Sequence, residues 1–259
     1  MSNNKFNGLA QLTITTMYGL KIESNFFMAD SRLMNHMISI AGSRFITIDN
    51  NDFFGASADD GDPSNYFFIN FNTSTSYGIS ITNNRFSNHN GWAIHRTGSP
   101  QISNGVLSDN TFSNCKAATI YGAYLNIDNN VLQPIGGNNV WDGFVFNINN
   151  STIRGSISAG YQTIKPITLT GSGNTVIGNT MTGAFAGALD LTGNGNTITG
   201  NTFSGNASSN SSEAQIVLRS GSQRNLITGN ILLSEGGGAA GVRNDSGNST
   251  NTINNNKES

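Results

Sequence analysis

GNTITGNTFSGN, residues 195–206, contains the phrase whose recurrence decides how this chain is built. Ile198 stands three positions before Asn201, and Phe203 stands two after it. The same arrangement returns in LKIESNFF around Asn25, ITIDNNDF around Asn51, ISITNNRF around Asn84 and GVLSDNTF around Asn110. It continues in LNIDNNVL around Asn130, NTVIGNTM around Asn179 and NLITGNIL around Asn230. MSNNKF with Asn4 and NTINNNKE with Asn256 are partial copies, and NSTIRGSI reads as a degenerate copy with Gly155 in the asparagine place.

Successive phrases lie 20 to 33 residues apart. That interval belongs to stacked supersecondary units, each burying its apolar face against its neighbours. A leucine-rich repeat has a similar period, but no window here sustains the 3.6-residue apolar rhythm of a helix. Short alternating runs separated by Gly, Asn, Asp and Ser signal strands and turns instead. The expectation is an all-β, single-stranded right-handed parallel β-helix of about 10–11 coils. It forms one domain over residues 1–259, and the start inside a phrase suggests a fragment of a longer chain.

The phrase also predicts an interior. Inward asparagines form a ladder of amides that satisfies backbone groups at a tight bend. Phe6, Phe27, Phe53, Phe86, Phe112, Leu132, Ile157, Met181, Phe203 and Leu232 form one apolar stack. Ile22, Ile48, Ile81, Leu107, Ile127, Val176, Ile198, Ile227 and Ile253 form another. Cys115, alone, reads as a small buried residue.

Net charge is −2 with only 13 Lys plus Arg, so no basic patch suits a nucleic acid. No apolar stretch is long enough for a membrane span, and MSNNKFNGLA lacks a signal-peptide pattern. His36, His89 and His95 have no metal-ligand spacing, so neither metal nor cofactor is expected.

Each coil carries a second apolar strand, in HMISIAG, YFFINFN, GWAIHRTG, ATIYGAY, DGFVFN, KPITLTG, GALDLTG, QIVLRSG and AGVRND. One outward column of these strands reads Ser39, Asn70, His95, Tyr121, Val145, Thr168, Asp190, Val217 and Arg243. Its upper middle gathers the candidate site. Asp59, Asp60 and Asp62, from the longest insertion, join His95, Arg96 and Tyr121 as candidate catalytic residues. Asn70, Tyr124, Trp141 and Asp142 are candidate substrate-binding residues. Aromatic faces stack on sugar C–H surfaces while Asn and Asp hold hydroxyls. A glycosidase needs two carboxylates; a lyase needs a base, here His95 or Tyr121, and a cation such as Arg96. DDGDP equally suits a solvated turn, and Tyr121 and Trp141 equally suit a protein interface.

The phrases NxIxxNxF and GNTITGNTFSGN resemble the pectate-lyase-like superfamily of right-handed parallel β-helix proteins. That resemblance implies action on polysaccharides, since the superfamily includes pectate lyases, polygalacturonases, mannuronan epimerases and trimeric phage tailspikes. The DPH triad of the epimerases is missing: in DDGDPSN, Pro63 is followed by Ser64. The leading expectation is a phage tailspike or related depolymerase, hydrolase or lyase, outside the cell or on a virion surface. Its partner would be a bacterial surface or extracellular glycan, and its assembly a homotrimer. The alternative is a non-catalytic glycan-binding adhesin or structural fibre.

Overall fold

The computed structural model describes residues 1–7, 11–29, 36–55, 67–89, 91–97, 101–133, 143–159, 166–183, 187–206, 214–234 and 241–258. Among them there is no helix, and every strand pairing is parallel to the equivalent strand one coil away. Three sheets run the length of the stack. The first holds the strand before each ladder asparagine, such as Thr47–Asp49, and has 10 strands. The second holds the strand after it, such as Asp52–Phe54, and has 11. The third holds the second apolar strand of each coil, from Leu12–Thr15 to Val242–Asn244.

The bend between first and second sheets follows from two adjacent residues. The one before the ladder asparagine is left-handed, at Ser24, Asn50, Asn83, Asp109, Asn129, Gly178, Gly200 and Gly229. Gly, Asn and Asp enter that conformation at least cost. The next residue turns inward. Asn51 illustrates it: its Oδ1 accepts from the Asn25 N–H (2.9 Å) and Asn25 Nδ2 (3.0 Å). Its own Nδ2 donates to Ile22 O and Asp49 O, each at 3.0 Å, and to Asn84 Oδ1. The pattern runs unbroken from Asn4 to Asn130 and again from Asn179 to Asn256. An orphaned buried amide costs about 1–3 kcal/mol, so each rung stabilises a bend that would otherwise be unfavourable.

Beside the ladder, Phe6, Phe27, Phe53, Phe86 and Phe112 stack with centroids 4.7–5.0 Å apart and planes within 14°. That spacing is the inter-strand distance itself, so strand pairing sets the ring stacking. Ile22, Ile48, Ile81, Leu107, Ile127, Val176, Ile198 and Ile227 line the first sheet inward and are all buried; Ile253, in the last coil, is 38 % exposed.

The register corrects the degenerate copy. Ser156, not Gly155, takes the asparagine place, its N–H donating to Asn179 Oδ1 at 3.0 Å. Gly155 is instead the left-handed residue, with φ 61°. Ser158 therefore pairs with Leu132 and Met181, the position expected for Ile157, and Ile153 supplies the missing member of the aliphatic stack. The two places are easily exchanged because a left-handed glycine directly precedes the inward asparagine in the later copies, at Gly178, Gly200 and Gly229.

A second ladder stands at the corner between third and first sheets. Asn174, Asn196 and Asn225 repeat the same bonding, each N–H and Nδ2 reaching the Oδ1 of the next, as far as Asn251, at 2.9–3.0 Å. Ser151 begins it by donating its N–H to Asn174 Oδ1. These asparagines are the first residue of NTVIGN, NTITGN, NLITGN and NTINNN.

Candidate functional site

The third sheet positions the candidate residues. Its inward residues Ile38, Ile69, Ile94, Ala118, Phe144, Ile167 and Leu189 are buried and paired across coils. The next residue of each strand faces outward: Ser39 pairs with Asn70, Asn70 with His95, Val145 with Thr168, and Thr168 with Asp190. The pairing of Ile94 with Ala118 puts Thr119 level with His95, and Thr119 pairs with Val145. Tyr121 thus lies two residues outside the expected column, beside Asn147 in the neighbouring one. The strand Lys116–Ala123 is longer than its neighbours and also pairs with Ile102–Ser103; Thr119, like His95, Thr168 and Asp190, stands three residues before a glycine. Gly122 makes that close approach possible, because a Cβ there would lie 1.9 Å from Ile102 O.

His95 is the chemically distinctive residue of this face. Its ring stacks on Phe67 with centroids 4.0 Å apart and planes 8° apart. Burial, helped by the Arg96 cation, lowers its pKa to about 4, so the imidazole is neutral at ordinary pH. Its Nδ1 is buried without a hydrogen-bond partner, as is Thr119 Oγ1 on the adjacent rung. Arg96 lays its guanidinium over the Tyr121 ring, 2.9 Å from the centroid. Two residues absent from the sequence expectation flank them: Lys116 Nζ lies 5.5 Å from the Trp92 ring centre. Their signal was present, since both begin the strands that carry His95 and Tyr121.

The remaining candidates are placed as follows. Asn70, in the outward column beside His95, is 2 % exposed and accepts a bond from Thr97 Oγ1 at 3.1 Å. Tyr124 leaves the sheet and occupies the exposed left-handed corner beyond it, with φ 57°. Asp59, Asp60, Asp62, Trp141 and Asp142 lie outside the described residues. Farther along the column, Asp190 pairs with both nitrogen arms of Arg219 (2.5 and 3.1 Å), which also approaches Asp245 at 3.6 Å. That region is held as an ion-pair network. Cys115 is buried, and burial pushes its thiol up to about 12, where it has no nucleophilic role. Among the described residues, no three His, Cys, Asp or Glu side chains gather as a metal site.

No protein-family model and no curated protein matches the sequence. Solved structures do. The A-module of a mannuronan C-5 epimerase from Azotobacter vinelandii is similar at TM-score 0.61 and 8 % identity, covering 99 % of this chain and 86 % of that one. A DFA-IIIase from Arthrobacter chlorophenolicus is similar at TM-score 0.63 and 13 % identity, covering 97 % and 84 %. A lacto-N-biosidase from Eubacterium ramulus is similar at TM-score 0.52 and 9 % identity, covering 98 % of this chain and 61 % of that one. The chain is a right-handed parallel β-helix protein. At these identities the likeness establishes the fold.

Proposed function

We propose that this protein binds and shortens an anionic polysaccharide along the third-sheet face around His95. The observation that carries the reading is a neutral, half-buried imidazole with an unpartnered nitrogen beside a surface arginine and a tyrosine. That set suits β-elimination. His95 takes the proton from the carbon next to a uronate carboxylate, Arg96 pairs with that carboxylate, and the Tyr121 hydroxyl gives a proton to the departing sugar oxygen. The electrons of the broken C–H bond become the new C=C bond as the glycosidic C–O bond breaks. A bound carboxylate also offsets the Arg96 cation and raises the His95 pKa towards the usual range, strengthening the base. Support of a coarser kind comes from two similar structures whose names specify action on carbohydrates, the epimerase and the lacto-N-biosidase.

The reading includes an extracellular or virion-surface setting, a bacterial surface glycan as substrate, and a homotrimer as the working assembly. Hydrolysis by Asp59, Asp60, Asp62 and Asp142 is the competing chemistry, and a non-catalytic adhesin or fibre the competing role. The test is polymer length, before and after incubation with alginate, polygalacturonate, hyaluronan and neutral dextran. Shorter uronate chains with ultraviolet absorbance from a new double bond are expected. Shortening without that absorbance moves the chemistry to the acidic residues; no shortening overturns the enzymatic reading.

A further inference from the structure

We infer that the corner between the third and first sheets, over the first five coils, is a glycan-docking ridge. This rests on the polysaccharide reading and adds residues outside the His95 face. Among the described residues, five aromatics are substantially exposed, and four of them stand on this one corner: Tyr18 (73 %), Phe45 (54 %), Tyr77 (41 %) and Tyr124 (60 %). Tyr18, Arg44 and Tyr77 occupy one column, joined by parallel bridges from coil to coil. The Arg44 guanidinium sits 5.3 Å from the Tyr77 ring centre, and Tyr18 meets Phe45 edge to face at 5.1 Å.

The backbone is shaped to display these rings. Phe45 and Tyr124 hold φ of 54° and 57°, a region where bulky side chains are outliers. Equivalent corner positions in neighbouring coils are Gly19 and Gly78. A Cβ at Gly78 would come within 2.8 Å of the Phe45 ring, so that glycine leaves the space in which the ring lies. Strain retained at an exposed aromatic, with a glycine making room for it, points to use of the ring rather than to packing.

The shape of the array selects the occupant. A protein interface has a broad apolar centre with few charges. Here the rings follow the axis in two adjacent columns, Tyr18 and Tyr77 in one and Phe45 and Tyr124 in the next, on coils about 4.8 Å apart, with Arg44 between the two tyrosines and no ring on the coil of Ser103 and Asn104. A linear polymer laid along the axis presents one sugar face after another at a comparable advance, and Arg44 favours an acidic sugar.

The test is affinity electrophoresis of the full chain in gels containing alginate, hyaluronan, xylan or dextran. All proteins carry His95→Gln, so retention reports binding without shortening. Tyr18→Ala, Phe45→Asn and Tyr77→Ala are combined, and Tyr18→Ala is run alone as a safeguard against misfolding. Each ring is expected to contribute roughly fivefold, and the combined variant to lose at least about tenfold in retention, with thermal midpoint and sedimentation unchanged. Unchanged retention overturns the ridge and leaves the polysaccharide reading intact. A changed oligomeric state overturns it in favour of a subunit interface. Failure of all four gels to retain the His95→Gln parent overturns both.

Discussion

The two halves of this solenoid solve the same corner differently. Where the third sheet passes into the first, coils up to Asn130 place Leu20, Ile46, Ile79, Gly105 and Leu125, preceded by Phe45 or Tyr124 in two of them. Coils from Ser151 onward place Asn174, Asn196, Asn225 and Asn251, preceded by Gly173, Gly195, Arg224 and Thr250. The C-terminal half is thereby tied by two amide ladders and shows no large exposed aromatic among its described residues. The N-terminal half keeps one ladder, adds the phenylalanine stack, and spends its other corner and its sheet face on exposed rings, His95 and Arg96. The comparison teaches that a parallel coil tolerates either an aliphatic or an amide corner. The choice decides how much surface is free for ligand.

The interior gives the largest effects. Phe112→Ala opens the ring stack and is expected to cost about 3–5 kcal/mol in urea unfolding. Met181→Ala, in the matching place of the C-terminal half, should cost less, about 2–3 kcal/mol; equal costs would mean the rings add nothing beyond apolar volume. Next is Asn196→Leu, which imposes the N-terminal solution on the C-terminal half. It removes the acceptor of the Asn174 N–H and Nδ2 at 2.9 and 3.0 Å, and about 2–3 kcal/mol should be lost. A loss under about 0.5 kcal/mol would show the two corners to be interchangeable.

Corner conformation gives opposite signs in the two halves. Gly173→Ala puts a side chain at φ 70° and should cost about 1–2 kcal/mol, whereas Tyr124→Gly should gain about 0.5–1 kcal/mol. A destabilised Tyr124→Gly would mean that Tyr124 packs rather than waits for ligand. An effect of similar size comes from titration of His95. Its folded pKa lies below its unfolded value, so the folded state binds fewer protons between about 4 and 6.5. Stability is therefore complete above about 6.5 and declines as the pH falls towards 4, by about 1 kcal/mol once partial exposure is allowed for. His95→Gln should remove that component from the pH profile of the thermal midpoint. An identical profile would place the imidazole in water.

Most of the architecture was legible because the repeat repeats its chemistry. Asn51, Ile48 and Phe53 recur at fixed offsets, and their equivalents around Asn25, Asn84, Asn110, Asn130, Asn179, Asn201 and Asn230 are buried. Two features were harder to read. The second ladder escaped because its position holds Leu, Ile or Gly in the early coils, so no asparagine recurs there until Asn174. The column through His95 was misread at Tyr121 although Thr119, like His95 and Thr168, stands three residues before a glycine. The ridge had a signal as well, in MYGL at 17–20 and SYGI at 76–79, where a tyrosine precedes a corner glycine. A phrase centred on buried residues draws attention away from its own outer edge.

The most direct measurement compares one column position in the two halves. Polymer shortening should be assayed on the same uronate panel with the wild-type chain, His95→Gln and Thr168→Ala, the last two lying in one outward column. Loss of shortening by about a hundredfold or more in His95→Gln, with Thr168→Ala unchanged, is the predicted result. Equal activity in both variants would contradict the assignment of function to the N-terminal face.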